Sequence, residues 1–553
     1  MSPPMTGDLQ SAKLVGSRPP GGCVGDRRHG VLCAEYHTLP PGGTSCQQYL
    51  NTPLCNSRVR RGCFFSSKWC RMNEQEFFST SRIVQCSFRA TGLPSSPPLR
   101  LAVIGGGLAG IAAAEAAKRL GYDVDLFEWS RTLGGRATSM LEPTTGQWID
   151  NGQHVVLGCC TELLTLNRRF GLERFFEHQA NITFASLEGK RWTMIPSPFL
   201  PLRWQLVPAF LKLPFLTFRD RLSTGLLLRK LPKVKPHLTE ISFGQWLNAE
   251  NASEESVKRF WEPLIFSTLS ETVESVGFSA AQKVVRDGFL SGPDAMTLYV
   301  PTQPLRSIYH EATVDYLNDL GVRSHFLSRV VQFQWTDGMD GDEKARILAI
   351  VLADGTVRSF DRYILAIPSF RVWKLFEESG LENFAEQLDL GRFEPGAITT
   401  AHCWFDRRIL PSSWQQAALI GGPAQFVFCP RRESTENGVY HTAVISASHR
   451  LLSDLELTSN GTATLLDRIV RQIQTTFPES FREPNELRHG RTTTVFNAVF
   501  SPNPNVYASR PAQATPFANL TLAGDWTDTG WPATMEGAVR SGIAAAKVLG
   551  SEE

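Results

Sequence analysis

Apolar runs and polar turns follow one another in a regular order from residue 99 onward. The apolar run 99–104 predicts a buried parallel strand, and the Ala-rich stretch 111–120 predicts a helix that ends at Gly121. Residues 124–128 predict a second strand, which ends in an acid. This order of elements predicts a βαβ unit.

Further apolar runs predict the elements that follow. The stretches 329–333 and 347–352 predict two strands of a small sheet, joined by a polar hairpin around 338–343. The other predicted elements are buried strands at 300–301, 363–368 and 520–522, a helix at 305–320, and a helix at 535–546 with a face of small residues.

The turn inside the βαβ unit has the spacing of a dinucleotide site. Gly105 makes the tight turn, Gly107 allows the backbone to approach a pyrophosphate, and Gly110 allows the helix to pack on the strand. The phosphates would lie on the free amides at the helix N-terminus. Glu128 is placed to accept hydrogen bonds from an adenosine ribose. A purely structural glycine turn is the alternative, but the flanking strands, the helix and the acid favour dinucleotide binding.

Two more segments distinguish a flavin from a nicotinamide cofactor. Residues 131–136 contain the pair Gly134-Gly135 followed by Arg136, which brings more backbone and positive charge to the same pyrophosphate. Near the other end, a strand leads into Gly524-Asp525, and a helix follows from residue 535. The N-terminus of that helix would offer partial positive charge to the carbonyl edge of a flavin.

Composition narrows the class of protein. The chain has 553 residues, 42% of them hydrophobic and 20% charged, which excludes a disordered chain or a coiled coil. A net charge of +2 gives no electrostatic reason to expect a nucleic-acid partner. Cys159, Cys160, Cys403 and Cys429 are expected to pack as small hydrophobic residues.

Residues 1–98 differ from the rest of the chain. They contain seven of the eleven cysteines, and eleven Lys or Arg residues against five Asp or Glu. The stretch has no periodicity long enough to build a core, so we interpret it as disordered. The alternative is extra sequence ahead of the real start, with Met72 beginning a shorter chain. The odd cysteine count without a C-x-x-C pair argues against a disulfide framework, and no metal site is predicted.

No window holds the roughly 18 uncharged apolar residues that a membrane-spanning helix needs. The nearest candidate, 195–218, is interrupted by Arg203, Lys212 and prolines. We therefore expect a cytoplasmic protein without a transmembrane segment, with contact at the inner face of the membrane as a further expectation.

The motifs together resemble the flavin amine oxidase and phytoene desaturase superfamily. This resemblance rests on the Rossmann glycines with Glu128, on Gly134-Gly135-Arg136, and on Gly524-Asp525 with Met535-Glu536-Gly537-Ala538. More narrowly, Asp150-Asn151-Gly152-Gln153-His154, Gly158-Cys159-Cys160 and the segment 523–538 resemble the squalene-associated branch, the hydroxysqualene dehydroxylases. The resemblance covers residue 99 to the end.

The resemblance implies FAD as the cofactor and an α/β fold, in which a discontinuous Rossmann-like FAD-binding domain carries an inserted α+β substrate domain. The implied FAD-binding domain covers 99–154, 300–384 and 511–553, and the substrate domain covers 155–299 and 385–510. The backbone of Val330 would meet the adenine. The expected cofactor-binding residues are Gly105, Gly107, Leu108, Ala109, Gly110, Glu128, Gly134, Gly135, Arg136, Val330, Gly524, Asp525, Thr534 and Met535.

The superfamily branch acts on a long apolar isoprenoid, and residues 195–235 suit such a substrate. They combine many Phe and Leu residues with eight basic residues and a single acid, Asp220. Apolar surface with local positive charge is typical of shallow insertion into an anionic bilayer. An ordinary helical layer with a solvated basic face is the alternative.

The implied reaction is reductive removal of the hydroxyl of hydroxysqualene to give squalene, a precursor of hopanoids and sterols. It requires a hydride from reduced flavin, an acid and a dry pocket. Trp526 and Trp531 are candidates for an aromatic wall. His154 is the candidate proton donor, with a structural hydrogen-bonding role as the alternative. Glu536 is a second candidate, with stabilisation of its own helix N-terminus as the alternative.

Three other functions stay open at this stage: a carotenoid-type desaturase, a flavin amine oxidase, and a lipid carrier that holds FAD as a structural element. The sequence shows no separate nicotinamide site, so the electron donor that reduces the flavin is unassigned.

Overall fold

The computed structural model describes residues 97–201, 204–235, 241–337, 344–430, 436–454 and 461–550. Disorder was predicted for residues 1–98, and residues 1–96 of that stretch lie outside the described ranges. The predicted hairpin at 338–343 and Arg203 lie outside them as well.

The strands of the described residues are, in chain order, β1 Arg100–Ile104, β2 Asp123–Phe127, β3 Ser139–Leu141, β4 Trp148–Asp150, β5 Val156–Leu157, β6 Phe176–Gln179, β7 Ile182–Ser186, β8 Arg191–Met194, β9 Leu298–Pro301, β10 Arg323–His325, β11 Val330–Thr336, β12 Arg346–Leu352, β13 Val357–Arg358, β14 Arg362–Leu365, β15 Pro395–Phe405, β16 Gln416–Ile420, β17 Phe426–Phe428, β18 Val439–Ile445, β19 Leu487–Phe500 and β20 Leu520–Leu522. The α-helices are α1 Leu108–Arg119, α2 Thr161–Arg169, α3 Val207–Leu211, α4 Phe218–Lys230, α5 Phe243–Ala249, α6 Glu254–Ser256, α7 Glu262–Leu269, α8 Phe278–Lys283, α9 Thr313–Leu320, α10 Ser369–Glu377, α11 Glu382–Gln387, α12 Ser448–Asp454, α13 Gly461–Thr476, α14 Pro504–Ala508 and α15 Met535–Gly550.

A five-stranded parallel sheet with the order β10-β2-β1-β14-β20 organises the first layer. Alternate residues of β1 face opposite sides of this sheet: Leu101 and Val103 pack with the helices α1 and α15, whereas Ala102 and Ile104 pack with β11, β12 and α10. The predicted α/β fold with a Rossmann-like sheet is therefore confirmed.

The crossing of α1 and α15 is close because the contact residues are small. A Cβ at Gly542 would lie 2.1 Å from the carbonyl oxygen of Ala109 in α1. The predicted small-residue face of the last helix thus brings the two ends of the folded chain together on one side of the parallel sheet.

A seven-stranded sheet with the order β19-β15-β18-β17-β16-β7-β8 forms a second layer. It is antiparallel except between β16 and β7. One face of the sheet, with Leu419, Val427 and Ile445, packs against Ile469 and Ile473 of α13. The alternate residues point to the other face, which carries apolar side chains toward a cavity.

Helix α7, the end of α8 and the segments beside them line that cavity from the opposite side, as part of a helical layer that runs from α4 to α8. The helices of this layer share a core that includes Trp246, Trp261 and Phe278. Two segments of this helical layer, Val257–Trp261 and Val284–Phe289, are π-helical. None of the described helices combines the length and hydrophobicity that crossing a bilayer requires.

Most predicted boundaries differ from the observed ones by a few residues. The first helix begins at Leu108 rather than at residue 111, because the chain enters helical geometry directly after the glycine turn. Cys403 and Cys429 are buried and free, as predicted, and burial raises the pKa of their thiols to about 12 and about 11. Cys159 and Cys160 line the cavity between the seven-stranded sheet and the helices.

Candidate active site

Two adjoining cavities lie between the layers of the fold. The larger one, about 900 Å³, is bounded by the glycine turn after β1 and by the chain around 524–535. The smaller one, about 310 Å³, lies between the seven-stranded sheet and the helices α7 and α8. Both volumes are typical of small-molecule sites. We call the first the cradle and the second the apolar cavity; they share the lining residues Gln153, Val155, Ser267, Val444, Ser446, Thr534 and Met535.

The cradle begins at the N-terminus of α1. Gly105 has φ +109°, which few residues other than glycine adopt, and a Cβ there would lie 2.4 Å from the carbonyl oxygen of Ala366. All residues of α1 are described. No side chain of the described residues caps its N-terminus, and its first turn contains no acidic residue. Its first amide groups therefore open toward the cradle, where Leu108 and Ala109 line the wall.

The second glycine pair closes against the first turn. The Gly134 N–H donates to the Gly106 carbonyl at 2.9 Å, and a Cβ at Gly135 would lie 3.0 Å from the Cα of Gly107. A Cβ at Gly107 itself would meet only the Cα of Gly135, at 4.0 Å, and otherwise point into open space. The two loops thus leave a backbone-lined space that fits a pyrophosphate and that a side chain would fill.

Glu128 holds the turn and faces the cradle at the same time. One carboxylate oxygen accepts a hydrogen bond from the Gly106 N–H at 2.7 Å, and the other accepts from the Ser130 N–H at 2.9 Å. Each oxygen keeps a lone pair for another donor. The carboxylate therefore suits ribose hydroxyls and also fixes the glycine turn, a second role that its spacing in the sequence did not predict.

Arg136 links the two distant segments of the cradle. Its guanidinium donates to Asp525 Oδ1 at 2.6 Å and to the Ala498 carbonyl at 2.9 Å. Asp525 is buried. Arg510, also buried, donates to the Trp531 carbonyl at 2.6 Å and contacts the Asp525 carbonyl at 3.5 Å, so it holds both ends of the loop 525–531.

The residues of the cradle fit FAD. Thirteen of the fourteen residues that the sequence proposed for the cofactor line it. The exception is Gly110, where a Cβ would lie 1.8 Å from the carbonyl oxygen of Gly105; this glycine lets α1 pack under the turn. Thr534 accepts the Gly537 N–H at 3.2 Å and so begins α15, whose first residue, Met535, lies at the boundary of the two cavities.

The apolar cavity has a wall of alternating strand residues. Neighbouring strands of the seven-stranded sheet contribute Ile182, Phe184, Met194, Ala418, Ile420, Phe426, Phe428 and Val444. The charged residues in its lining are paired: Lys283 Nζ lies 2.5 Å from Asp287 Oδ2, and Arg259 pairs with Glu188 and Glu255, which lie outside the lining. The lining thus suits an uncharged, largely hydrocarbon molecule.

The two tryptophans proposed as an aromatic wall have different places. Trp531 lines the apolar cavity, between Lys283 Nζ at 4.8 Å and the guanidinium carbon of Arg540 at 5.1 Å from its ring centre. Trp526 is buried in the core under Gly524, donates to the Ile367 carbonyl at 2.9 Å, and lines neither cavity. Its proposed place in the wall was therefore wrong, because the turn at Gly524 directs its ring inward.

His154 lines the cradle in a form that favours accepting a hydrogen bond. Its Nδ1 lies 2.8 Å from the Gly152 carbonyl, which can only accept, so Nδ1 carries the proton. Burial lowers the pKa of His154, although the hydrogen bond to Gly152 opposes that shift. The neutral ring leaves Nε2 as an acceptor, and the role of His154 as a proton donor stays a prediction.

Glu536 stabilises a helix other than its own. It is fully buried, and its two oxygens accept the N–H groups of Glu162 and Leu163 in the first turn of α2, at 3.1 and 2.8 Å. Arg540 donates to the same carboxylate at 2.7 Å. These contacts occupy the carboxylate as an acceptor, so its geometry favours a structural role over that of an acid.

Several lining residues carried no sequence signal. Val495, Ala498 and Val499 line the cradle from β19, a strand without any motif, and Ser267 comes from α7. Gln153 belongs to the motif Asp150–His154, but the sequence did not predict a function for it. Its place at the boundary of the cavities depends on pairing between strands far apart in the chain, which no local pattern reports.

The chain is similar in sequence and in structure to known flavin-dependent oxidoreductases. The chain matches the flavin-containing amine oxidoreductase family over residues 108–549. It is 28% identical to a hydroxysqualene dehydroxylase of Zymomonas mobilis, over 80% of this chain and 97% of that protein. A zeta-carotene desaturase of Synechocystis is 24% identical, over 82% of this chain and 97% of that protein. The solved structure of an oxidoreductase from Methanosarcina mazei superimposes with a TM-score of 0.62 at 15% identity, covering 81% of this chain and 100% of that one.

The predicted superfamily and its cofactor are thereby confirmed. The match covers most of the chain; it begins at Leu108, directly after the Gly105–Gly107 turn, and includes the other segments that line the cradle. The chain is an FAD-dependent oxidoreductase and belongs to the flavin-containing amine oxidoreductase family.

Proposed function

We propose that this enzyme reductively dehydroxylates hydroxysqualene to squalene. The observation that carries the proposal is that the apolar cavity, which suits a hydrocarbon, meets the cradle at the N-terminus of α15. The relatives named hydroxysqualene dehydroxylase, 27–28% identical over about four fifths of this chain, support the same substrate. In the net reaction the C–O bond breaks, a C–H bond forms, and the oxygen leaves as water.

Reduced FAD, when bound, supplies the hydride. The protein residues would bind and orient the cofactor and exclude water: the amides of α1 and Gly107 would hold the pyrophosphate, Glu128 the ribose, and the backbone of Val330 the adenine. The apolar lining keeps competing water away from the reacting carbon. In this proposal the segments 99–154, 300–384 and 511–553 form the FAD-binding domain, and 155–299 with 385–510 form the substrate domain.

A carotenoid-type desaturase is the second candidate, because zeta-carotene desaturases match the chain over the same extent. Such an enzyme would move hydride from a hydrocarbon to the flavin. An amine oxidase has less support: the acids among the described lining residues of the apolar cavity, Asp287 and Glu536, are both paired with basic side chains, so neither is available to bind an ammonium group.

A single-turnover assay tests the proposal. The purified flavoprotein is reduced chemically under anaerobic conditions and mixed with hydroxysqualene, and lipids are extracted for gas chromatography. We expect one equivalent of squalene per flavin, together with reappearance of the oxidised flavin spectrum. In a second experiment, the oxidised flavoprotein is mixed with a carotene. Bleaching of the flavin there, together with no squalene from hydroxysqualene, would favour the desaturase. Bleaching by an amine would favour an amine oxidase.

We also propose that residues 195–235 contact an anionic membrane surface. Along α4, Phe218, Leu222 and Leu226 follow one another at four-residue spacing and are 72%, 53% and 58% exposed. The buried positions of this helix include Asp220, which closes a capping box with Thr217. Leu227 of the same helix packs into the core of the helical layer, and the apolar stripe faces outward on the other side, which is unusual for a surface helix.

The outward stripe continues on the segment before α3 and adjoins the apolar cavity. Phe199 is 93% exposed and Trp204 is 42% exposed. Leu213 and Phe215, between α3 and α4, are buried and line the cavity. Arg219 and Arg229 lie exposed on α4 beside the stripe. This combination supports entry of a lipid substrate from an anionic bilayer.

Replacing Phe218, Leu222 and Leu226 together by serine is expected to weaken binding to anionic phosphatidylglycerol vesicles by roughly 10- to 100-fold, because the inserting apolar area is lost. Flotation of protein with vesicles measures the effect. The matched control replaces three equally exposed apolar residues elsewhere, Leu120, Leu348 and Val357. Equal binding by the stripe variant and the control would contradict the proposed membrane contact.

A further inference from the structure

Gln153 carries a buried hydrogen-bond donor that no group in the described part of the chain satisfies. Its side-chain Nε2 is inaccessible to solvent and has no hydrogen-bond partner among the described residues. The other end of the amide is fixed, because the Thr442 hydroxyl donates to Oε1 at 3.0 Å. Thr442 is itself buried on β18. The amide is therefore held with its N–H groups directed away from Thr442 and left without an acceptor.

The residue that carries this unsatisfied donor lies where the two cavities meet. Gln153 lines both the cradle and the apolar cavity, as do Val444 and Ser446, which follow Thr442 on the same face of the seven-stranded sheet. Two other hydroxyls of the boundary are engaged locally: Ser267 donates to the Leu264 carbonyl at 3.0 Å, and Thr534 donates to the Pro532 carbonyl at 3.1 Å.

Leaving a buried donor unpaired is unfavourable, so a site that keeps one fits a ligand that brings an acceptor. Apart from the hydroxyls of Ser267, Ser446 and Thr534, the residues that line both cavities with Gln153 are apolar, so this boundary suits a hydrocarbon that carries an oxygen atom at the flavin end. We propose that the Gln153 amide binds the hydroxyl oxygen of the substrate and thereby selects an isoprenoid alcohol over the corresponding hydrocarbon.

This inference rests on the proposed dehydroxylation and deepens it. A hydrogen bond from the amide fixes the alcohol oxygen at the boundary and so brings its carbon to the cradle. It also explains how the product leaves: squalene lacks the oxygen, leaves the donor unpaired and binds more weakly. A site that pairs a substrate hydroxyl discriminates strongly against the analogue that lacks it.

The experiment compares ligand affinities in the oxidised holoenzyme, where no turnover occurs. Hydroxysqualene and squalene are titrated separately, and changes in the visible flavin spectrum give the two dissociation constants. We expect wild-type protein to bind hydroxysqualene at least about 10-fold more tightly than squalene. In Gln153→Leu, which keeps the size of the side chain, this ratio falls to about 1 while the affinity for squalene is unchanged or higher.

A second variant, Thr442→Val, removes the hydroxyl that orients the amide but leaves the amide in place. It should give an intermediate ratio, with the same FAD content as wild type. A ratio near 1 in the wild type, or an unchanged ratio in Gln153→Leu, would overturn the inference. A shifted flavin spectrum in ligand-free Gln153→Leu with an unchanged ratio would mean that the amide serves the flavin instead.

The single-turnover assay separates this inference from the proposed function. If wild-type protein forms squalene but the affinity ratio is the same in wild type and Gln153→Leu, the proposed role of the amide is wrong and the proposed function stands. If no squalene forms although the ratio depends on Gln153, the dehydroxylation fails, and the site still binds an isoprenoid alcohol.

Discussion

Replacing Gly107 with valine is expected to give a folded protein that no longer binds FAD. A Cβ at this position would meet only the Cα of Gly135, at 4.0 Å, and otherwise points into open space beside the cradle. Gly107 has φ −73°, which valine also adopts, so the change adds little backbone strain. The valine would occupy the place where a pyrophosphate contacts the amides of α1, and we expect FAD affinity to fall by roughly 100-fold or more.

The measurement is the ratio of released flavin to protein after purification and dialysis, with far-UV circular dichroism as the check on folding. Gly391→Val is the matched control, since that exposed glycine also has open space around its Cβ and needs no positive φ. The control should keep one FAD per chain. Full flavin content in Gly107→Val would place the pyrophosphate elsewhere and contradict the cradle.

The second large effect is expected at Glu536, and it concerns stability. Glu536→Ala leaves two amides of α2 without their acceptor and removes the carboxylate that pairs with Arg540, which should lower the free energy of unfolding by about 2–4 kcal/mol. Glu536→Gln keeps an oxygen acceptor and should lose less. Chemical denaturation of the three proteins, followed by tryptophan fluorescence, gives the comparison.

The same variants decide whether Glu536 donates a proton. If it only holds α2, the single-turnover rate of folded Glu536→Gln falls no more than about 10-fold and keeps the pH dependence of wild type. If Glu536 is the acid, Glu536→Gln should be folded and almost inactive, with the acidic limb of its pH profile missing. That second result would contradict the structural role.

The cradle could be predicted from the sequence because its residues meet strict local demands. Gly105 needs a positive φ, Gly110 cannot carry a Cβ, and the strand at 520–522 leads into a turn whose glycine lies over a buried ring. Each demand selects glycine or an acid at a fixed spacing, so a short pattern is sufficient to identify it.

The apolar cavity could not be predicted in the same way. Its wall is the face of a sheet in which β7 pairs with β16, more than two hundred residues later, and no motif marks that pairing. Glu536 was a candidate acid, with stabilisation of its own helix as the alternative, whereas tertiary packing brings it to α2. The outward direction of Phe218, Leu222 and Leu226 also depends on which face of α4 the tertiary structure buries.

The central claim is that FAD lies in the cradle with its ring at the boundary of the apolar cavity. A crystal structure of the holoprotein tests this most directly. The account predicts density for the pyrophosphate beside both Gly107 and Gly135, the adenine beside Val330, and the flavin ring beside Gln153 and Met535. Density that places the ring away from this boundary, or adenine at the junction of the two cavities, would contradict it.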